Sequence, residues 1–410
     1  MTNLSLNQAR VNLIALVICS FVLFFHLGAN QLQSWDEAIY AQSAKEMVLT
    51  GDWLTPHWNG ENFYQKPPLT IWFTALLFRL FGVSEFTART FSALCGVACV
   101  LLVFLTGRLF LSNEQASIAG LVLLATPHFN YFARQGSMDV PLTAFLFLGF
   151  YFYLRSHDNP RYWIGTGGAM ALAVLTKGAA AGPGLLALVV AVLLNRDRPW
   201  RVREGWIGFA VFIVLAGSWH VVMVMVHGHA FWAEYFVSQV FSRSVSTFDT
   251  NAAGRFSYFG TVFLGFLPFI PLLIVGITQI WKRRPMFPVV LLLFSGMLFV
   301  LYSLVSTKHK WYMVPIYPTL ALIACCAPRV PKLVMAIMLL CAVAYSVMLD
   351  HAIPGLHPME PKIIEQARQS TGPLDVPIDI APTVLFYTDR KICTKDSNHS
   401  MSRMTRCSTP

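Results

Sequence analysis

Charge is scarce in this chain. Asp, Glu, Lys and Arg make up 12% of its 410 residues, against roughly 25% in soluble domains. With 56% of residues hydrophobic, that shortage excludes an ordinary soluble enzyme. It leaves a polytopic membrane protein, long enough for about a dozen spans of roughly 20 residues. Metal-type cysteine spacing is missing too: there is no CxxC and no Cys/His cluster. Of the eight cysteines, Cys19, Cys95, Cys99, Cys325, Cys326 and Cys341 lie in apolar runs, where they act as small hydrophobes. Cys393 and Cys407 can pair only if their segment faces an oxidising compartment. Internal repeats and coiled-coil heptads are absent. No small-residue cleavage site precedes Trp35, so the first apolar run, Val11–Gly28, reads as a retained span. In such a chain a net charge of +10 is no nucleic-acid footprint; it reflects the cytoplasmic bias of Lys and Arg.

What is present is a series of apolar runs. They lie at 11–28, 88–111, 115–133, 140–155, 162–177, 179–194, 205–227, 258–280, 286–306, 311–327 and 333–349, eleven in all. A twelfth, Leu69–Gly82, has 14 residues and carries Arg79. It is short for a span, and with Trp72, Phe73, Phe78 and a snorkelling arginine it suits the membrane interface. Three loops are rich in positive charge: Arg196, Arg198, Arg201 and Arg203; Lys282, Arg283 and Arg284; Arg329 and Lys332. The positive-inside rule places all three in the cytoplasm. Counting back puts residues 29–87, 134–139, 228–257 and 307–310, and everything after 350, outside. The expected fold is therefore an all-α integral membrane protein of about eleven transmembrane helices. Residues 1–350 form the transmembrane module, with interfacial helices in the first outer loop, 29–87. Residues 351–410 form a short outer tail, too small for a comfortable core of its own, with 391–410 reading as disordered.

Two outer loops concentrate the polar chemistry. Ser34-Trp35-Asp36-Glu37 has the form of a capping box opening a helix that runs to about Thr50. Ala41, Ala44, Met47 and Val48 recur there at helical spacing, so the helix lies on the membrane surface. Two readings of its acids stand: they favour a helix N-terminus, or Asp36 is held at the aqueous boundary as a general base or cation ligand. Lys66 precedes Pro67-Pro68, which forces it into an extended arm. It is either an interfacial anchor or a point charge for a phosphate. In the second loop Asp139 starts a span, with Pro141 in its first turn. The parity count puts Asp139 on the same face as Asp36. Lys66, Arg134 and Lys177 also fall outside, where positive-inside alone would leave few cations; a lipid-linked phosphate is their natural counterion. Weaker candidates are Phe241–Ser244 with Glu234, Tyr235, Asp249 and Arg255, the run Lys308–Tyr312, and His220. The histidine sits inside an apolar run and is a functional hypothesis by default, although hydrogen bonding within the bundle explains it equally well.

These residues resemble a known family. Asp36-Glu37-x-x-Tyr40, Gly51-Asp52-Trp53, Lys66-Pro67-Pro68-Leu69, Phe81-Gly82, Arg89 and Arg134…Met138-Asp139 are similar to the GT-C membrane glycosyltransferases. Within them the aminoarabinose transferase (ArnT-like) and protein O-mannosyltransferase group is the nearest. Lys177-Gly178 resembles that family's outer Lys-Gly. The likeness covers about residues 10–350, and most specific matches fall in the first 140. It implies inverting transfer of a sugar from a polyprenyl-phosphate donor, such as undecaprenyl phosphate. The acceptor would be lipid A, another envelope glycan or a protein, at the periplasmic face of a bacterial inner membrane. On this resemblance Asp36 orients or deprotonates the acceptor and Asp139 shapes the catalytic site. Lys66, with Arg134 and Lys177, binds the donor phosphate, while Glu37, Tyr40 and Tyr64 line the substrate site. A divalent cation held by such acids is left open. Two positions depart from the aminoarabinose branch: Ile39 stands where that branch tends to have Arg, and Gln65 where it tends to have an acid. The family also usually carries a longer C-terminal region, so a truncated, inactive product is one competing expectation. A lipid or solute transporter or flippase is another. It predicts mid-span charges and inverted repeats, whereas here the spans are nearly free of charge.

Overall fold

The computed structural model describes residues 3–242, 256–283, 286–305, 308–327, 332–352, 361–369, 374–377 and 379–393. Arg243, Ser244, Asp249, Arg255, Arg284, Arg329, Cys407 and the end of the tail, 394–410, were named above and lie outside them. The described backbone is helical almost throughout. Helix α1 spans Asn3–Ser20, α2 Asp36–Thr50, α3 Leu69–Phe81 and α4 Glu85–Gly107. Next come α5 (Asn113–Ala125), α6 (Pro127–Ala133), α7 (Asp139–Ser156), α8 (Tyr162–Lys177) and α9 (Gly182–Leu194). Helix α10 (Arg203–Phe231) runs into a π-helical segment, Trp232–Ser242. Then follow α11 (Ser257–Gly265), α12 (Ile270–Arg283), α13 (Met286–Leu304), α14 (Tyr317–Ala324) and α15 (Lys332–Ala352).

By length and apolar character, five of the described helical stretches can cross a membrane, or six if the bent pair α11–α12 is one span. Proline explains why some of the apolar runs are broken. Pro127 opens α6 and splits the run 115–133. Pro268 lies in the 3₁₀ turn between α11 and α12, which are bent by 76°. Pro315 and Pro318 keep Lys310–Ile316 in a 3₁₀ turn before α14 begins.

Helix ends sort into two levels. At one, Asn12 of α1 donates to Ser117 Oγ of α5 (2.8 Å), and Gln115 donates to the Cys325 carbonyl (3.2 Å). Tyr153, near the end of α7, donates to Asp197 (2.7 Å) and accepts from Asn195 (2.7 Å), just past α9. At the other level Lys177, ending α8, meets Asp139, opening α7. Since the Tyr153 ring also lies 5.7 Å from that of Trp163, α8 runs antiparallel to α7. Helix α9 then returns toward Tyr153, so the apolar stretch 162–194 is a hairpin. Helices α8 and α10 touch at their backbones: a Cβ on Gly167 would lie 1.9 Å from the Gly208 carbonyl oxygen.

The loop before α3 is ordered. A two-stranded antiparallel ribbon, β1 (His57–Trp58) and β2 (Glu61–Asn62), closes on Asn59-Gly60, both at positive φ. Helix α3 buries Leu69, Ile71, Ala75 and Phe78 and leaves Leu76, Leu80 and Phe81 exposed.

The tail is the main surprise. Its described part forms α16 (Pro361–Gln369), β3 (Leu374–Asp375), α17 (Ala381–Thr388) and β4 (Ile392–Cys393), with β3 and β4 paired in parallel. Val384, Leu385, Phe386 and Ile392 share one core with Ala38, Met47, Trp58 and Ile71. Asn59 and the Ile392 backbone exchange two hydrogen bonds of 3.0 Å. Lys45 pairs with Asp389 at 2.6 Å, and Tyr387 donates to Glu85 at 2.7 Å. The expectation that 391–410 is disordered is therefore corrected for residues 391–393. The tail needs no core of its own because the outer loop completes one.

Candidate active site

Asp36 is the first residue of α2 and is half-buried. The expected capping box does not form. Trp35 is the N-cap at φ +69°, with no side-chain cap, and the Ser34 hydroxyl instead donates to the Asp379 carbonyl. A non-glycine residue at positive φ costs roughly 1–3 kcal/mol and collects at functional sites. Here it sits directly before the candidate base.

Glu37 is buried and engaged within the protein. Its carboxylate accepts from Arg89 Nε (2.8 Å) and Nη2 (3.0 Å), from Gln33 N (2.7 Å) and from Gly136 N (2.7 Å). Arg89 gives its other donors to the carbonyls of Leu27, Asn30 and Gln31. The acid assigned to substrate from sequence is a staple joining the two outer loops to α4.

Asp139 and Lys177 form a second buried pair, 2.5 Å apart. Lys177 Nζ also lies 5.5 Å from the Tyr312 ring centroid. Coulombic coupling ties Asp139 to Lys177, Asp36 and Lys66, and ties Lys177 to Asp139, Asp36 and Tyr312. Four residues singled out from two loops and a span thus meet in one electrostatic cluster.

A cavity of about 240 Å³ opens beside it, with Gln65, Lys66, Lys177, Tyr235, Gln239 and Tyr302 among its lining residues. Gly178 turns the chain here at φ +57°, and a Cβ at that position would lie 2.3 Å from the Tyr235 hydroxyl. Only glycine leaves room for both the turn and the tyrosine. Tyr235 Oη also lies 2.9 Å from His220 Nε2, and His220 Nδ1 lies 2.7 Å from the Ala216 carbonyl. The mid-span histidine is thus bonded within its own helical segment. Tyr302 donates to the Ala180 carbonyl at 2.8 Å, fixing the α8–α9 turn.

Other expectations are relocated. Arg134 donates to the Phe25 carbonyl at 2.8 Å and is not among the residues lining the cavity. Tyr40 is buried in the core shared with the tail. Tyr64 accepts from Asn62 (2.8 Å) and packs edge-on to Phe231. Burial raises its phenol above the usual range, the Asn62 hydrogen bond opposes this, and the charge of Glu234 adds to it, so Tyr64 is neutral at pH 7. Tyr312, ranked low from sequence, comes to the centre. Tyr302 and Gln239 went unnoticed; a tyrosine within an apolar run and a glutamine in a polar loop give little local signal. Among the described residues no group of three or more His, Cys, Asp or Glu is placed to hold a metal ion. The Lys177 ammonium contacts Asp139 Oδ1.

Residues 65–242 match the family model described as dolichyl-phosphate-mannose-protein mannosyltransferase. A similar chain, an uncharacterized protein of Aquifex aeolicus, is 31% identical over 76% of this chain and 62% of its own length. The undecaprenyl phosphate-α-4-amino-4-deoxy-L-arabinose arabinosyl transferase of Aeromonas salmonicida is 28% identical over 74% of this chain and 57% of its own. The fold matches the crystal structure of ArnT from Cupriavidus metallidurans bound to undecaprenyl phosphate. The TM-score is 0.82 at 22% identity, over 94% of this chain and 86% of that one. The chain has the fold of ArnT. It spans about three-fifths of the length of the two relatives named above.

Proposed function

We propose that this ArnT-like chain is an inverting glycosyltransferase that takes a sugar from a polyprenyl-phosphate donor. The observation that carries the reading is the convergence of Lys66 and Lys177 on one cavity, coupled to Asp36 and Asp139. A departing phosphate develops negative charge, and fixed cations that meet it as the bond breaks lower the barrier. The sugar C1–O bond to phosphate breaks with its electron pair left on the phosphate oxygen, facing Lys66 and Lys177. A new C1–O bond forms from the opposite face, and the acceptor hydroxyl's proton passes to Asp36. Where the acceptor is itself a phosphate no proton moves, and Asp36 orients it. Asp139 holds Lys177 in place. Arg134 and Glu37 support the loops, and no step is routed through a metal. The relatives' undecaprenyl phosphate donor supports this reading. So does the two-level order of helix ends, from which we infer about eleven crossings of a bacterial inner membrane with the site on the periplasmic side. Lipid A, another envelope glycan or a protein is the acceptor.

The test is transfer in proteoliposomes from a polyprenyl-phosphate sugar to envelope extract. Asp36→Asn and Lys66→Ala should each lower the rate about 100-fold or more, the scale of a general base or an anion-stabilising group. Wild-type rates in both variants would sink the mechanism.

A further inference from the structure

The cavity beside Lys66 and Lys177 is lopsided in charge. Two ammonium groups line it, together with two amides, Gln65 and Gln239, and tyrosines, and no acid is among its described lining residues. The nearest carboxylate on α7, Asp139, is committed to Lys177 at 2.5 Å. The tyrosine hydroxyls are engaged as well: Tyr235 with His220, and Tyr302 with the Ala180 carbonyl. Gln239 differs. Its Oε1 is buried with no hydrogen-bond partner among the described residues. A buried, unsatisfied acceptor costs free energy, and a bound hydroxyl that donates to it removes that cost.

We infer that the donor sugar carried in this cavity is neutral and hydroxyl-bearing, with Gln65 and Gln239 reading its hydroxyls. An amide offers both donors and an acceptor, which is what a hydroxyl needs. With Lys66 and Lys177 taken by the donor phosphate, no acid among the described lining residues is left to receive a cationic amino sugar, and a buried ammonium without a partner is disfavoured. The curated relatives are named for a 4-amino sugar, so this chain would differ from them in donor. The inference rests on the polyprenyl-phosphate reading above.

The experiment compares binding of three lipids to the full chain in detergent at pH 7: undecaprenyl phosphate, its arabinosyl ester and its 4-amino-4-deoxy-arabinosyl ester. The two esters differ by one hydroxyl replaced by an ammonium. The arabinosyl lipid should bind about tenfold more tightly than the amino one. Gln65→Glu should narrow or reverse that ratio. Gln239→Leu, which spares the fold if Gln65→Glu does not, should weaken the arabinosyl lipid about fivefold and leave undecaprenyl phosphate unchanged. Equal or tighter binding of the amino lipid by the wild type overturns the inference. A neutral preference that neither variant moves overturns the assignment to the two amides. Failure of all three lipids to bind overturns the polyprenyl-phosphate reading itself.

Discussion

Two buried ion pairs stand beside the candidate site, and they are opposites. Glu37–Arg89 and Asp139–Lys177 are equally secluded, with side-chain exposures of 2% and 7% in the first and 3% and 4% in the second. Burial does not separate them; saturation does. All five guanidinium donors of Arg89 are used, and Glu37 accepts four hydrogen bonds. In the second pair the two side chains make, among the described residues, a single hydrogen bond, to each other, although an ammonium has three donors and a carboxylate accepts several. The closed pair has nothing left to offer a substrate. The open pair, beside a cavity, keeps valences for one.

The largest way to break the contrast is Glu37→Leu. It strands the Arg89 charge and orphans two backbone N–H groups. Removing one member of a buried pair costs about 3–5 kcal/mol. The expected outcome is a large fall in thermal midpoint and in recovery of monodisperse protein, with activity lost as a consequence. A variant that keeps wild-type stability would mean the staple is redundant. Lys177→Met should cost less, roughly 1–3 kcal/mol, because Asp139 can take up a proton and shed its charge. Its activity should nevertheless fall about 100-fold, since a cation facing the leaving phosphate is gone. Stability and rate measured together separate the two pairs: Glu37 governs the first, Lys177 the second.

That contrast was not legible in the residues themselves. Asp36, Lys66, Asp139 and Lys177 could be put on one face because basic loops set the parity of the spans, a rule that needs only the sequence. Arg89 stood in the motif without a role, because its acceptors lie 52 to 62 residues away. Glu37 beside Asp36 looked like a twin. Their divergence comes from α2, where consecutive positions face different neighbours: Asp36 toward the cluster, Glu37 toward α4 and Gly136. The tail shows the same limit. Its 3.0 Å bonds to Asn59 link residues 333 apart. Neither segment alone carries enough apolar surface to announce the shared core of Trp58, Ile71, Leu385 and Ile392.

A smaller substitution tests that tail as a structural partner of the loop. Tyr387 accepts from Leu32 N at 2.9 Å and donates to Glu85 at 2.7 Å. Burial raises its phenol above the usual range, and Glu85 adds to the rise while the Leu32 hydrogen bond and Arg89 oppose it. A phenol whose folded pKa is raised gives its full stability below the unfolded value of about 10 and loses it as pH climbs through the folded one. Tyr387→Phe should cost about 0.5–1.5 kcal/mol at neutral pH and flatten the alkaline loss of stability above about pH 10. An unchanged thermal midpoint and alkaline limb would show that the tail rests on the loop without holding it.

The finest test is Asp139→Asn, because it keeps an oxygen for Lys177 to donate to and removes only the charge. Its stability cost should be small, about 1 kcal/mol, since one charge-assisted hydrogen bond becomes a weaker one. Its effect on rate decides between two roles. If Asp139 only holds Lys177, the amide still holds it, and transfer should fall about tenfold or less, well short of Asp36→Asn. If Asp139 itself handles the acceptor proton, Asn cannot replace it and the loss should equal that of Asp36→Asn. The 2.5 Å contact with Lys177 favours the holding role.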